Sequence, residues 1–173
     1  MSKKSEYLSL YKEVEVIGRG NFGSATLVRS VKDPEQVYIA KKVILGSLNP
    51  KEAESAKQEV TFLKQLNHPN IVSYIESFIE DGTLIIIMEY CEEGDLAFYI
   101  KKRAQKSEPI EEKVIVNWAL QLCLALDGIH RQKILHRDIK SSNIFLTSNG
   151  TLKLGDFGIS KVLENTQEHA MTV

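Results

Sequence analysis

Four side chains late in the sequence have the types and spacing that phosphoryl transfer requires. Asp138, Lys140 and Asn143 lie at offsets of zero, two and five in His136-Arg137-Asp138-Ile139-Lys140-Ser141-Ser142-Asn143, and Asp156-Phe157-Gly158 begins thirteen residues beyond Asn143. Such a transfer needs an acceptor for a hydroxyl proton, a cation against the moving phosphate, and oxygen ligands for magnesium. One aspartate, the lysine, the asparagine and the second aspartate supply these in one short stretch.

Far upstream, Gly18-Arg19-Gly20-Asn21-Phe22-Gly23 forms a glycine cluster. Glycines let backbone N–H groups approach phosphate oxygens without side-chain obstruction. Dinucleotide-binding folds use the same spacing, but there a helix follows the glycines at once. Here Ser24 to Arg29 continues as a strand. A cation for the phosphates would come from Lys41 in Tyr38-Ile39-Ala40-Lys41, although the adjacent Lys42 offers a second alignment. Glu59, among Lys57, Gln58 and Lys64, is an acid able to pair with the strand lysine.

These groups need a scaffold. Val14, Val16 and then Thr26, Leu27 and Val28 flank the glycines as a hairpin, and Val37 to Leu45 reads as a third strand. Pro50 to Leu66 reads as a helix, with Ala56, Val60 and Leu63 on one face and Asn49 as a cap. His68-Pro69-Asn70 breaks it. Ile71 to Phe78 and Leu84 to Met88 are predicted strands joined by a turn at Asp81-Gly82. A short helix follows from Gly94-Asp95 through Arg103. A long amphipathic helix then carries Ile115, Trp118, Leu122, Leu126 and Ile129 on one face, and Ile134 to Ser160 reads as short strands and loops. A strand-rich front and a helix-rich back predict an α+β protein in two lobes, joined near Glu89 to Gly94.

Composition agrees with a globular chain: of 173 residues, 43% are hydrophobic and 26% charged, with a formal net charge of −1. No global basic field points to nucleic acid, and no apolar run is long enough for a secretory signal or a membrane span. Cys91 and Cys123 lack metal-ligand spacing, and two cysteines make a disulfide framework a poor reading, so a reduced intracellular setting is expected.

From Gly18 to its end the chain resembles the eukaryotic protein kinases of serine/threonine type. The resemblance implies the bilobal kinase fold, with a complete β-rich N-lobe over 11–88, a hinge at 89–94, a partial C-lobe over 95–173 and an N-terminal extension over 1–10. It implies that Gly18, Gly20 and Gly23 cover ATP phosphates, that Lys41 rather than Lys42 contacts them, and that Glu59 pairs with Lys41. Ile17, Ala25, Ile39 and Phe145 would surround adenine; Ala25 and Ile39 replace the usual valine and alanine. Met88 would be the gatekeeper, and Glu89 to Cys91 the hinge backbone that binds the base. Asp138 would be the catalytic base, Lys140 the γ-phosphate contact, and Asn143 and Asp156 the Mg2+ ligands. Arg137 would pair with a phosphate on Thr172, or more weakly Thr166, in the activation segment. Tyr74, Leu63, Phe157 and His136 match the family's regulatory stack. ATP, protein serine or threonine hydroxyls, and an activating kinase or self-association are the implied partners.

His68-Pro69-Asn70-Ile71-Val72, Met88-Glu89-Tyr90-Cys91-Glu92-Glu93-Gly94-Asp95-Leu96, Phe145 after the asparagine and Gly155 before Asp156-Phe157-Gly158 are similar to the NIMA-related (Nek) kinases. That likeness implies a cytoplasmic, centrosomal, or ciliary and flagellar setting. It also implies that Val173 falls inside the activation segment, before the Ala-Pro-Glu motif and the large C-lobe helices. Those helices would cover the apolar face that carries Trp118. Its exposure would forfeit roughly 1.5–3 kcal/mol per large side chain, so an isolated chain is expected to be unstable, to self-associate, or to belong to a longer protein. The alternative reading is a non-catalytic ATP-binding or scaffolding fragment; a dinucleotide-binding oxidoreductase is a distant third.

Overall fold

The structure is a computed structural model that describes residues 5–20 and 23–155, the side chains of Lys51, Glu52, Ser55 and Glu59 excepted. The described residues form two compact units, one drawn from 5–67 with 72–91 and the other from 68–71 with 92–155.

The first unit is built on a five-stranded antiparallel sheet in the order β1-β2-β3-β5-β4. Its strands are β1 (Tyr11–Gly20), β2 (Gly23–Ser30), β3 (Val37–Ile44), β4 (Tyr74–Glu80) and β5 (Thr83–Glu89). The Asp81-Gly82 turn joining β4 and β5 has positive φ at both residues, 47° and 72°. That is the mirror-image turn whose twist suits a two-residue hairpin. Val28, Ala40, Phe78, Ile85 and Ile87 fill one face together with Tyr7 and Tyr11. Leu84 and Ile86 are buried as well, so β5 is covered on both faces, and its unbroken apolar run follows from that.

Helix α1 (Glu6–Leu10) precedes the sheet, and α2 (Pro50–Leu63) follows β3. The Asn49 carbonyl accepts from Ala53 N–H at 2.9 Å. This leaves Pro50 at the first helical position, where a missing N–H is harmless. Val60 and Leu63 are buried as the periodicity predicts. The α-helix ends at Leu63, three residues before the expected Leu66, and Leu66 N–H turns back to the Phe62 and Leu63 carbonyls.

In the second unit, β6 (Gly94–Asp95), β7 (Ile144–Leu146) and β8 (Leu152–Leu154) form a small sheet beside α3 (Leu96–Gln105) and α4 (Glu112–Arg131). Asp95 caps α3 by accepting from Phe98 N–H at 2.8 Å. The strand expected from Ile71 begins only at Tyr74, because Ile71 bridges to Leu154 of β8 instead. The neighbouring Asn70 is buried. Its amide nitrogen donates to Gln121 Oε1 at 2.8 Å and to the Leu152 carbonyl at 3.0 Å, while Gln121 Oε1 also accepts from Leu152 N–H at 2.8 Å. Asn70→Ala strips a donor from the Leu152 carbonyl, so chemical unfolding should show a loss of about 1–3 kcal/mol.

Helix α4 keeps most of the predicted face, with Leu122 and Leu126 half-buried, and departs from it at Ile115. Trp118, Ala125 and Ile129 are buried, whereas Ile115 is 51% exposed. Trp118 is not left to water: it meets Tyr99 edge-on at 5.6 Å, and its Nε1 donates to the Gly150 carbonyl at 3.1 Å. The exposed large apolar residues of this helix are Ile115, Val116, Leu120 and Leu124. Among the described residues, no helix is long and apolar enough to cross a membrane.

Candidate active site

Strand register decides which lysine of β3 belongs with the glycines. Gly18 pairs with Ala25, Ala25 with Lys41, and Lys41 with Ile86; one row over, Leu27 pairs with Ile39 and Ile39 with Met88. Paired residues in an antiparallel sheet share a face, and neighbours along a strand point to opposite faces. Gly18, Ala25, Ile39, Lys41 and Met88 therefore lie on one face. Lys42 lies on the other, where its Nζ is 2.5 Å from Glu13 Oε1.

Gly20 pairs with Gly23 at the tip of the β1–β2 hairpin. A Cβ on Gly23 would stand 1.8 Å from the Lys42 carbonyl oxygen, whereas one on Gly18 would meet, among the described residues, Ala25 Cβ at 3.7 Å. The third glycine of the cluster is thus required by the approach of β3, a constraint absent from its sequence spacing. Ile17 is 52% exposed on β1. Near the end of β5, Glu89 N–H donates to the Ser73 carbonyl at 2.9 Å, and its Oε2 accepts from Ser73 N–H at 3.0 Å. Cys91, closing this unit, is buried. The Glu59 side chain lies outside what is described.

In the second unit, a short 3-10 turn at Ser141–Asn143 leads into β7. The turn brings Asn143 back onto Asp138. Asn143 Nδ2 donates to the Asp138 main-chain carbonyl at 2.8 Å and to its Oδ2 at 2.9 Å, and Lys140 Nζ lies 2.6 Å from the same Oδ2. Asn143 is buried, while the Asp138 side chain keeps 48% of its surface open to solvent. An accessible carboxylate with fixed orientation suits a proton acceptor. Hydrogen bonding from Lys140, then from Asn143, holds its carboxyl below the usual aspartate range. Lys140→Ala removes the larger of these causes, so Asp138 should titrate at higher pH in the variant. A carboxyl-carbon NMR titration checks the sign, and an unmoved midpoint would show that Lys140 does not hold the charge.

Behind the loop, the buried His136 donates from Nε2 to the Gly155 carbonyl at 2.9 Å; a carbonyl only accepts, which places the proton on Nε2. Gly155 N–H donates to the Asn143 carbonyl at 3.0 Å, and Leu154 N–H to the Asn70 carbonyl at 2.8 Å. The residue preceding Asp156 is thus anchored from both sides. Arg137 is exposed and left-handed, with φ of 63°. Phe145 sits half-buried on β7 opposite Lys153. Asp156, Phe157, Thr166 and Thr172 lie outside the described residues.

The structure therefore brings Asp138, Lys140 and Asn143 together in one unit, and Gly18, Ala25, Ile39, Lys41 and Met88 on one sheet face in the other. Sequence reasoning missed the brace formed by Asn70 and Gln121. The only hint was Asn70 in a helix-breaking triplet, and no local pattern marks Gln121.

The family described as the protein kinase domain matches residues 11–173. The chain belongs to that family. Within it, this kinase sequence is similar to mouse serine/threonine-protein kinase Nek1, 48% identical over 162 residues, which is 94% of this chain and 13% of that protein. Mouse Nek4 is 44% identical over 164 residues, covering 94% of this chain and 20% of its own length. Mouse Nek3 is 42% identical over 162 residues, or 94% of this chain and 30% of its own length. The chain spans less than a third of each of these relatives.

Proposed function

We propose that this chain carries the catalytic core of a Nek-type serine/threonine protein kinase, moving the γ-phosphate of ATP to serine or threonine hydroxyls of proteins. The observation that carries the reading is the Asp138 carboxylate, exposed, ionised and held by Asn143 and Lys140. Asp138 accepts the hydroxyl proton as the oxygen attacks phosphorus. Lys140 moves from Asp138 to the transferring phosphate, where its charge offsets the charge on the equatorial oxygens.

Asn143 fits a magnesium ligand set, because its amide nitrogen faces Asp138 and leaves Oδ1, a hard oxygen, for a cation. Asp156 would supply the second protein oxygen. Bound there, Mg2+ would neutralise charge between the phosphates. On the sheet, backbone N–H groups around Gly18, Gly20 and Gly23 and the ammonium of Lys41 hold the phosphates, with Glu59 as the partner of Lys41. Ile17, Ala25, Ile39, Met88 and Phe145 supply apolar surface for adenine, and Glu89 and Cys91 its backbone contacts. Arg137 receives a phosphate placed on Thr172, supplied by an activating kinase or by self-association. A centrosomal or ciliary setting goes with the Nek likeness.

Incubation with Mg-ATP labelled at the γ-phosphate and a generic protein substrate tests the reading. Label on serine or threonine is the expected result. ATP binding without transfer would leave a nucleotide-binding module.

A further inference from the structure

The face of the sheet opposite Lys41 is occupied by the chain's own N-terminal segment. Helix α1 has five residues, too few to persist on its own. Glu80 at the end of β4 holds its start: Ser5 Oγ donates to Glu80 Oε2 at 2.5 Å, and the Glu6 and Tyr7 N–H groups donate to Oε1 at 2.7 and 3.0 Å. Tyr7 is 2% exposed and packs against Tyr11 at 6.1 Å and Phe78 at 6.0 Å. Lys42 closes the arrangement. Its Nζ lies 5.3 Å from the Tyr7 ring centroid and 2.5 Å from Glu13 Oε1, with its side chain 24% exposed. An aromatic face and a carboxylate together hold the ammonium at the tip of a flexible four-carbon chain.

We propose that residues 5–13 form a strap that positions Lys41 for ATP, with Lys42 as the positioning residue that transmits it. The inference rests on the kinase reading above. Lys41 and Lys42 are consecutive on β3, a strand held between β2 and β5. Their side chains point to opposite faces. Securing Lys42 to Glu13 and Tyr7 sets the local twist of β3, and hence the direction in which Lys41 leaves the other face. Releasing the strap lets the Lys41 ammonium drift from the phosphates. The consequence is a weaker hold on ATP, with the proton-transfer machinery around Asp138 untouched.

The test uses the full chain and compares Lys42→Met, Lys42→Arg and Glu80→Gln with the parent, measuring ATP dissociation constants and phosphotransfer kinetics. Methionine keeps the apolar stem but loses the cation. Lys42→Met should raise the Kd and KM for ATP roughly tenfold, about the weakening of one charge-assisted contact, and leave kcat within about twofold. Lys42→Arg should restore most of the affinity, and Glu80→Gln should reproduce part of the loss. Lower thermal stability in Lys42→Met with ATP affinity unchanged would overturn the strap's positioning role and leave a structural one. Affinity that responds to Lys42 in a chain showing no phosphotransfer would keep this inference and overturn the catalytic reading. A parent chain that binds no ATP would overturn both.

Discussion

Asparagine in place of Asp138 is expected to lower kcat for phosphotransfer by about 10²–10⁴-fold, the range that one positioned general base contributes. Most of the geometry survives this change, which makes the result readable. The 3-10 turn is tied to residue 138 through its main-chain carbonyl, which accepts from Asn143 Nδ2 whatever the side chain. The amide oxygen of asparagine still accepts a hydrogen bond at the former Oδ2 position. What is lost is the capacity to take a proton, together with the charge that attracts Lys140. ATP affinity should change little, because Lys41 and every group assigned to the base except Phe145 lie in the other unit. The measurement is label transfer at saturating Mg-ATP, with ATP Kd alongside. An unchanged rate would remove Asp138 from the reaction, and an equal collapse in ATP affinity would show that it binds rather than catalyses. Lys140→Ala should be the gentler change, since it weakens charge stabilisation and leaves the proton acceptor in place.

Legibility in the sequence tracks the range of the interaction. Asp138, Lys140 and Asn143 lie within six residues, and their contacts with one another are local, so spacing alone predicts the cluster that the structure contains. The Asp81-Gly82 hairpin was legible for the same reason. The choice between Lys41 and Lys42 was legible only through the family resemblance, because it depends on which faces β2 and β5 present to β3. Helix α4 shows a related limit. Period alone found Trp118, Leu122, Leu126 and Ile129, but it added Ile115, which is exposed, and missed Ala125, which carries too little apolar surface to signal its burial. The contacts that brace the site join distant positions: Asn70 to Gln121 across 51 residues, and Ser5 to Glu80 across 75. Each is an ordinary polar residue in its own neighbourhood.

Gly23 separates what a glycine motif says from what the fold demands of it. The sequence assigns the glycines at 18, 20 and 23 one role beside phosphates, yet their surroundings predict unequal responses to a methyl group. Gly18→Ala adds a Cβ in ordinary contact with Ala25 at 3.7 Å, and its stability should stay within about 0.5 kcal/mol of the parent. Gly23→Ala drives its Cβ to 1.8 Å from the Lys42 carbonyl oxygen and 2.8 Å from the carbonyl carbon. Backbone cannot rotate away as a side-chain tip does, so β2 and β3 must separate at the Gly23–Val43 pair. Overpacking of this kind costs about 1–3 kcal/mol, and each kcal/mol lowers the Tm of a chain of 173 residues by roughly 2–4 °C. The displaced strand also carries Lys41 two positions away, so ATP affinity should fall with stability. Thermal unfolding and ATP binding on the two variants check this together. Equal and mild effects would mean that β3 yields at little cost, and the close approach would then not be what requires glycine at 23.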